Sequence, residues 1–301
     1  LVADAGTPDA LATKGEVVEE WTDLHFFRPI GARIAHALAP TRVSPDQVTF
    51  WSLIVGLIAG HLFVYASVPL NALGFALFIA SDLLDSADGQ LARIRGTSTR
   101  LGRILDGVSD GARFVNLYVH LAIRLAIGGW PAGWAVALAA LALASHSYQS
   151  AAVDFIRHAF LAIGVGRGSE LELVEDTPPA TTWMGRAFAS YVKRQTSMFP
   201  QTVALVRRMR VGAVPPEARA AYRVRMAPLL PKLAWLGQNI RWLLVGVLAT
   251  AGVPAAVLWT EVLPLNLVLV ATVLTSEGIA QRVLQSTATR DDRRATPAGV
   301  G

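Results

Sequence analysis

Four aspartates have the most informative spacing in this sequence: Asp85 and Asp88, then Asp106 and Asp110. Gly89, Ala92 and Arg93 follow the first pair, and Gly102 precedes the second. Members of each pair stand at i,i+3 or i,i+4, which puts them on one helix face roughly 4.5 to 6 Å apart along the axis. The pairs are nearly symmetric about Thr97, in a Gly96-Thr97-Ser98 turn, so an antiparallel hairpin would bring them level. Four carboxylates converging in a low dielectric cannot all stay ionised unless a cation neutralises them. With oxygen as the only donor, Mg²⁺, Mn²⁺ or Ca²⁺ suits the set better than zinc, and two ions roughly 3.5 to 4 Å apart would serve phosphoryl chemistry on a diphosphate. Gly89 and Ala92 leave room for a ligand near the helix backbone, and Arg93 stands where it could contact a phosphate, a ribose or a carboxylate. The inert alternative is an acidic cluster balanced by Arg93, Arg103 and Arg113, a costly arrangement for four carboxylates without a cation.

The elements that must position these residues are apolar. The 301 residues are 53% hydrophobic and only 16% charged, with a mean hydropathy of +0.43, so the expected solvent is mostly lipid and a soluble enzyme is disfavoured. The absence of cysteine excludes disulfides, thiolate metal sites and a cysteine nucleophile. A net charge of +5 could suggest nucleic acid, but basic residues beside apolar spans face anionic lipid, so membrane lipids and no nucleic acid are the expected partners. Apolar runs predict an all-α integral membrane protein with six transmembrane helices near 46 to 66, 70 to 95, 101 to 127, 131 to 158, 234 to 252 and 260 to 282. The loops at 67–69, 128–131 and 252–254 carry Gly or Pro and no Lys or Arg. Basic residues flank the opposite helix ends, so both termini and the aspartates are expected at the cytoplasmic face of a plasma or inner membrane.

Residues 1–45 lack the continuous hydrophobic stretch of a signal peptide, so insertion is expected to use the first span. Within them, Trp21, Leu24, Phe26, Phe27, Ile30, Ile34 and Leu38 suit one or two amphipathic helices on the inner membrane surface. Ser44-Pro45-Asp46-Gln47 then reads as a capped helix start. The domain proper is expected over 46–285, with a cytoplasmic tail over 286–301 and a cytoplasmic insert at 164–233. In that insert, Arg186 to Arg225 holds nine Lys or Arg against Glu217 alone. Interleaved apolar residues make it an interfacial amphipathic segment broken at Pro200, or an ordinary surface helix.

The aspartate region resembles the CDP-alcohol phosphotransferase family, whose signature D-x2-D-G-x2-A-R-x8-G-x3-D-x3-D is matched at every fixed position from Asp85 to Asp110. At average residue usage such a match would arise by chance on the order of once in ten million chains of this length, so coincidence is set aside. The Pro45-Asp46-Gln47-Val48-Thr49 segment compares with a Pro-Asn-x-x-Thr pattern of similar proteins, but Asp46 replaces the Asn and no binding role is transferred. The resemblance implies that Asp85, Asp88 and Asp106 hold Mg²⁺ or Mn²⁺, two ions in all, and that Asp110 both touches metal and acts as general base. It further implies that Gly89, Ala92 and Arg93 form the floor for a CDP moiety, with Gly102 permitting close approach. The implied reaction is attack by an acceptor hydroxyl on a CDP-linked alcohol, giving a phosphodiester and CMP, in a homodimer. Phospholipid synthesis fits, either from CDP-diacylglycerol and a polar alcohol or from a small CDP-alcohol and a lipid hydroxyl. A soluble polyol phosphodiester is a second product class, and a divalent-cation transporter using the same aspartates is an alternative of a different kind.

On the acceptor side, His146, Gln149, Asp154 and Arg157 form a polar stripe on the fourth span, read either as an acceptor pocket or as interhelical hydrogen bonding. Lys193, Arg194, Arg207, Arg208 and Arg241 are expected as cytoplasmic cations near lipid. His61 and Glu261 have no partner that the sequence identifies.

Overall fold

The computed structural model describes residues 18–97, 100–167, 171–177 and 181–295, all helical or irregular, with no strand among them. Ser98 of the expected turn, Glu170, and Pro178 and Pro179 of the insert lie outside the described residues, as do 1–17 and 296–301 of the terminal segments. Eleven α-helices are described: α1 (Arg28–Leu38), α2 (Pro45–Leu62), α3 (Val68–Ile94), α4 (Arg100–Ile127), α5 (Ala132–Ala159), α6 (Trp183–Met198), α7 (Pro200–Arg210), α8 (Pro216–Met226), α9 (Gln238–Thr250), α10 (Pro254–Val262) and α11 (Pro264–Ala295). A π-helical stretch Asp23–Phe27 leads into α1, and another, Phe160–Val165, extends α5.

Local chemistry accounts for many boundaries. The expected capping box at α2 is present: Ser44 Oγ accepts from the Gln47 amide at 3.2 Å, and Gln47 Oε1 accepts from the Ser44 amide at 2.9 Å. Proline occupies the first turn of α2, α3, α7, α8 and α10, where its missing N–H costs no helix hydrogen bond. The expected break at Pro200 separates α6 from α7. Gly96 and Gly129, at φ +66° and +95°, take left-handed conformations just beyond α3 and α4, which L side chains resist.

Among the described residues, three helical segments are long and apolar enough to cross a membrane: Val68–Ile94, Ala132–Val165 and Pro254–Thr287. The expected fifth span is a 3₁₀ stretch, Leu230–Leu236, followed by thirteen-residue α9, which at 1.5 Å per residue is roughly 20 Å long. The expected sixth begins within α10 and runs on into α11. Exposed Phe50, Trp51 and Ile58 on α2 and Leu267, Val270 and Leu274 on α11 are the kind of apolar surface that lipid covers.

The chain divides into two compact units. The first comprises residues to His146 together with Gly237–Pro264. There α3 packs against α1, α2 and α9, while α4 packs against α2 and α10. Its core carries an aromatic stack: Trp242 of α9 lies between Phe78 of α3, at 4.0 Å, and Phe114 of α4, at 4.4 Å, both nearly parallel to it. The second unit comprises Ser147–Leu236 and Leu265–Gly301. In it Phe155 stacks on Phe199, and Glu277 accepts from the Gln201 and Thr202 amides, capping α7.

Candidate active site

The C-terminal half of α3 repeats aspartate every third residue, at Asp82, Asp85 and Asp88. Three-residue spacing keeps them on neighbouring positions of one helix surface. From α4, one side chain ties two of them to Asp110. Arg113 donates through Nη1 to Asp82 Oδ1 at 3.0 Å and to Ser81 Oγ at 2.8 Å. Through Nη2 it donates to Asp85 Oδ1 at 3.1 Å and to Asp110 Oδ1. Two carboxylate oxygens from different helices therefore converge on one cationic nitrogen.

Exposure separates the carboxylates. The Arg113 side chain is 0% exposed and that of Asp82 8%, whereas Asp85 reaches 25% and Asp110 37%. Asp82 is the deep member, and Asp85 and Asp110 form the open edge of the cluster. Asp88 is buried and accepts from Thr49 Oγ1 of α2 at 2.5 Å. Asp106 lies on α4 one turn before Asp110, and its side chain is outside those described. Beside the carboxylates, a Cβ built on Gly89 would have only Arg93 Nη1 near it, at 3.5 Å. The helix backbone is thus open to a ligand there. Ala92, Arg93 and Gly102 are half-buried.

The donor set can be tested against a divalent metal. Asp85 and Asp110 already place oxygens around a common positive charge, and an all-carboxylate set suits a hard ion such as Mg²⁺ or Mn²⁺. Among the described residues no group of three or more Asp, Glu or His has the arrangement of a metal site, and Asp106 is the fourth carboxylate that such a group would draw on. In chemistry the residues fit the ion.

The acceptor-side candidates divide between the two units. In the first, His146 is buried, hydrogen-bonds the Tyr118 hydroxyl at 2.9 Å, lies tilted 3.9 Å from the Phe114 ring centroid and stands 3.9 Å from Glu261. Glu261 pairs with Arg241 at 3.0 Å, both buried. Arg241 is therefore a core residue and not the surface cation that the sequence suggested. In the second unit Gln149 donates to Asn266 at 2.9 Å. Asp154 accepts from Tyr191 at 2.9 Å and Gln195 at 3.0 Å, with His158 at 3.2 Å, and Arg157 is half-buried. Burial, with the Asp154 carboxylate beside it, pushes the Tyr191 phenol well above its usual pKa, so it serves as a donor. The contacts of His146, Gln149 and Asp154 are the interhelical hydrogen bonds that polar residues make inside helix bundles.

Sequence reasoning missed Ser81, Asp82, Gln238 and Trp242. Asp82 had a signal, three residues before Asp85 on the same face. Gln238 and Trp242 had none, because more than 150 residues separate them from the carboxylate they touch.

Comparison with known proteins matches residues 42–211, more than half of the chain, to a family described as CDP-alcohol phosphatidyltransferase. The chain is 32% identical over 97 residues to CDP-diacylglycerol–serine O-phosphatidyltransferase of Mycobacterium tuberculosis, covering 32% of this chain and 33% of that protein. It is 33% identical over 86 residues to a bifunctional IPC transferase and DIPP synthase of Thermococcus kodakarensis, covering 29% of this chain and 19% of that protein. Ceramide phosphoethanolamine synthase of Drosophila melanogaster is 28% identical over 105 residues, 32% of this chain and 27% of its own length. The aligned stretch spans a third or less of each of these relatives.

Proposed function

The chain belongs to the CDP-alcohol phosphatidyltransferase family, and on that premise we propose that it transfers a substituted phosphate from a CDP-linked alcohol to an acceptor hydroxyl, releasing CMP, in phospholipid synthesis. The observation that carries this reading is the convergence of Asp85 and Asp110 on one cationic position, beside the open backbone of Gly89. A lipid substrate in this reading is supported by the names of the relatives, one a phosphatidyltransferase and another a ceramide phosphoethanolamine synthase.

In this reading Asp110, the most exposed described carboxylate of the cluster, accepts the proton of the attacking hydroxyl. An alcohol is a weak nucleophile, and a positioned carboxylate raises its reactivity as the new phosphorus–oxygen bond forms. The bond to CMP breaks in the same displacement, and CMP leaves with the electron pair. Asp85, Asp88, Asp106 and Asp110 would hold Mg²⁺ or Mn²⁺, two ions in the full arrangement, which when bound neutralise the diphosphate and the departing CMP. Gly89, Ala92 and Gly102 keep the ligand close to the helices, and Arg93 contacts phosphate or ribose. Thr49 fixes the orientation of Asp88 by its hydroxyl.

The finer topology belongs to the same proposal: six spans, both termini and residues 164–233 on the cytoplasmic side with the site, and a homodimeric assembly. The lysine- and arginine-free loops at 67–69, 128–131 and 252–254 support the orientation.

The test uses purified protein in lipid with Mg²⁺, offered CDP-diacylglycerol with a panel of polar alcohols and, separately, small CDP-alcohols with lipid hydroxyls. CMP release with one pair, abolished by chelation, identifies which partner carries the lipid. Folded protein that neither releases CMP nor binds CDP-linked nucleotides would overturn the reading.

A further inference from the structure

Asp82 stands apart from the other carboxylates of the cluster in how its oxygens are used. Oδ1 accepts from Arg113 at 3.0 Å and from Gln238 at 2.8 Å, and Oδ2 accepts from the Trp242 indole at 2.5 Å. Both oxygens are occupied by protein donors and the side chain is buried, so Asp82 is an anchor and not a ligand facing substrate. The donors are themselves fixed. Phe78 and Phe114 sandwich Trp242, which sets the plane of the indole and the direction of its N–H.

The housing of Arg113 is equally specific. A Cβ on Gly56 of α2 would come within 2.9 Å of both Arg113 Cγ and Ser81 Oγ, so the missing side chain at 56 is what admits the arginine stem. Ser81 accepts from Nη1 and itself donates to the Ser52 carbonyl at 2.8 Å. With its far side held in this way, the guanidinium presents Nη2 to Asp85 and Asp110.

We propose that Asp82, held by Trp242 and Gln238, is a positioning residue: it keeps Arg113 in register between Asp85 and Asp110, so that these two carboxylates stay converged yet available to a divalent cation. The proposal rests on the metal-dependent reading above. Two like charges brought together separate unless a counter-charge holds them, and Arg113 supplies it from the buried side. Released from Asp82, the guanidinium would turn its whole charge on Asp85 and Asp110 and compete with a metal for them. The α9 residues Gln238 and Trp242 would thus act on the site through two intermediaries and touch neither substrate nor ion.

Asp82→Asn is the first probe. One amide oxygen cannot accept what two carboxylate oxygens accept, and the amide N–H₂ would face another donor, either the indole N–H or the Arg113 and Gln238 pair. Trp242→Phe is the second, because it keeps an aromatic ring in the stack while removing the indole N–H donor. Each variant, full-length in lipid nanodiscs, is titrated with Mn²⁺, free Mn²⁺ being read by electron paramagnetic resonance, and the Mn²⁺ activation curve for CMP release is measured alongside. We expect Mn²⁺ affinity to fall about 10-fold or more in Asp82→Asn, with a smaller fall in Trp242→Phe, and activation to shift to higher Mn²⁺ in step. Mn²⁺ affinity within twofold of the unaltered protein in folded Asp82→Asn would overturn the proposal, even if thermal stability dropped. If Asp82→Asn does not fold, unchanged affinity in Trp242→Phe overturns it equally. Absence of Mn²⁺ binding and of CMP release in the unaltered protein would instead remove the underlying reading, and the proposal with it.

Discussion

Replacing Gly31 by alanine tests whether α1 is fastened to the helix that carries Asp85 and Asp88. A Cβ at position 31 would stand 2.6 Å from Ser86 Oγ and 2.9 Å from Gln90 Nε2. Restoring an ordinary contact of 3.4 Å requires α1 to retreat by about 0.8 Å (3.4 − 2.6). Two hydrogen bonds cross this seam, Ser86 Oγ to the Phe27 carbonyl at 3.2 Å and Gln90 Nε2 to the Arg28 carbonyl at 3.1 Å. The same retreat stretches both to about 4 Å, beyond hydrogen-bonding range. Each bond contributes about 0.5–1.5 kcal/mol net, so the loss is about 1–3 kcal/mol. Alanine's higher helix propensity offsets about 1 kcal/mol of it. The remainder, about 1 kcal/mol at the midpoint, makes opening of α1 about five times more frequent. Hydrogen–deuterium exchange of the α1 amides in nanodiscs reads this directly, as faster exchange over 31–38. Exchange that is unchanged or slower in Gly31→Ala would refute the claim that close approach to Ser86 and Gln90 holds α1 in place.

Ser44→Ala removes the hydroxyl that caps α2 and should cost about 1 kcal/mol, seen as a lower thermal midpoint, with Ser44→Asp close to the original value. Glu261→Leu leaves Arg241 buried without its carboxylate, an expected loss of about 3–5 kcal/mol; combining it with Arg241→Met should recover part of that loss in denaturation measurements. The guanidinium of Arg210 holds the Asp176 carboxyl below its ordinary pKa. The resulting stabilisation is present above the unfolded-state pKa and is lost as pH falls through the lower folded-state value. The stability difference between the unaltered protein and Arg210→Met should therefore be larger at pH 6 than in strong acid, where only the Arg210 bond to the Leu171 carbonyl remains to be lost, and high salt should shrink it because the pair is partly exposed.

Much of the site was legible because its chemistry is local. Asp85, Asp88 and the candidate residues Gly89, Ala92 and Arg93 fall within nine residues, and helical periodicity put Asp85 and Asp88 on one surface, while the role of the other three came from the family resemblance. The capping box at Ser44 and the break at Pro200 were legible for the same reason. What escaped depends on contacts between distant segments. Glu261 and His61 looked solitary in the sequence, yet Glu261 pairs with Arg241 and His61 hydrogen-bonds His120 at 2.9 Å. Arg241 read as a surface cation because it sits beside a basic insert, and only the packing of α9 against α10 shows its carboxylate. Arg113 was counted as bulk counter-charge; its bridging of Asp82, Asp85 and Asp110 depends on Gly56 of another helix. Around 234–252 the apolar run does not coincide with a single helix, because Leu230–Leu236 winds as a 3₁₀ helix before α9 begins.

The most direct test of the central claim is the rate of CMP release by Asp110→Asn beside the unaltered protein, both in lipid with Mg²⁺ and a productive donor and acceptor. Equal thermal midpoints establish that both are folded. With Asp110 as the proton acceptor, the rate should fall by about 10²–10⁴-fold while CDP-linked donor still binds. A folded Asp110→Asn protein that releases CMP within about twofold of the original rate would contradict the assignment.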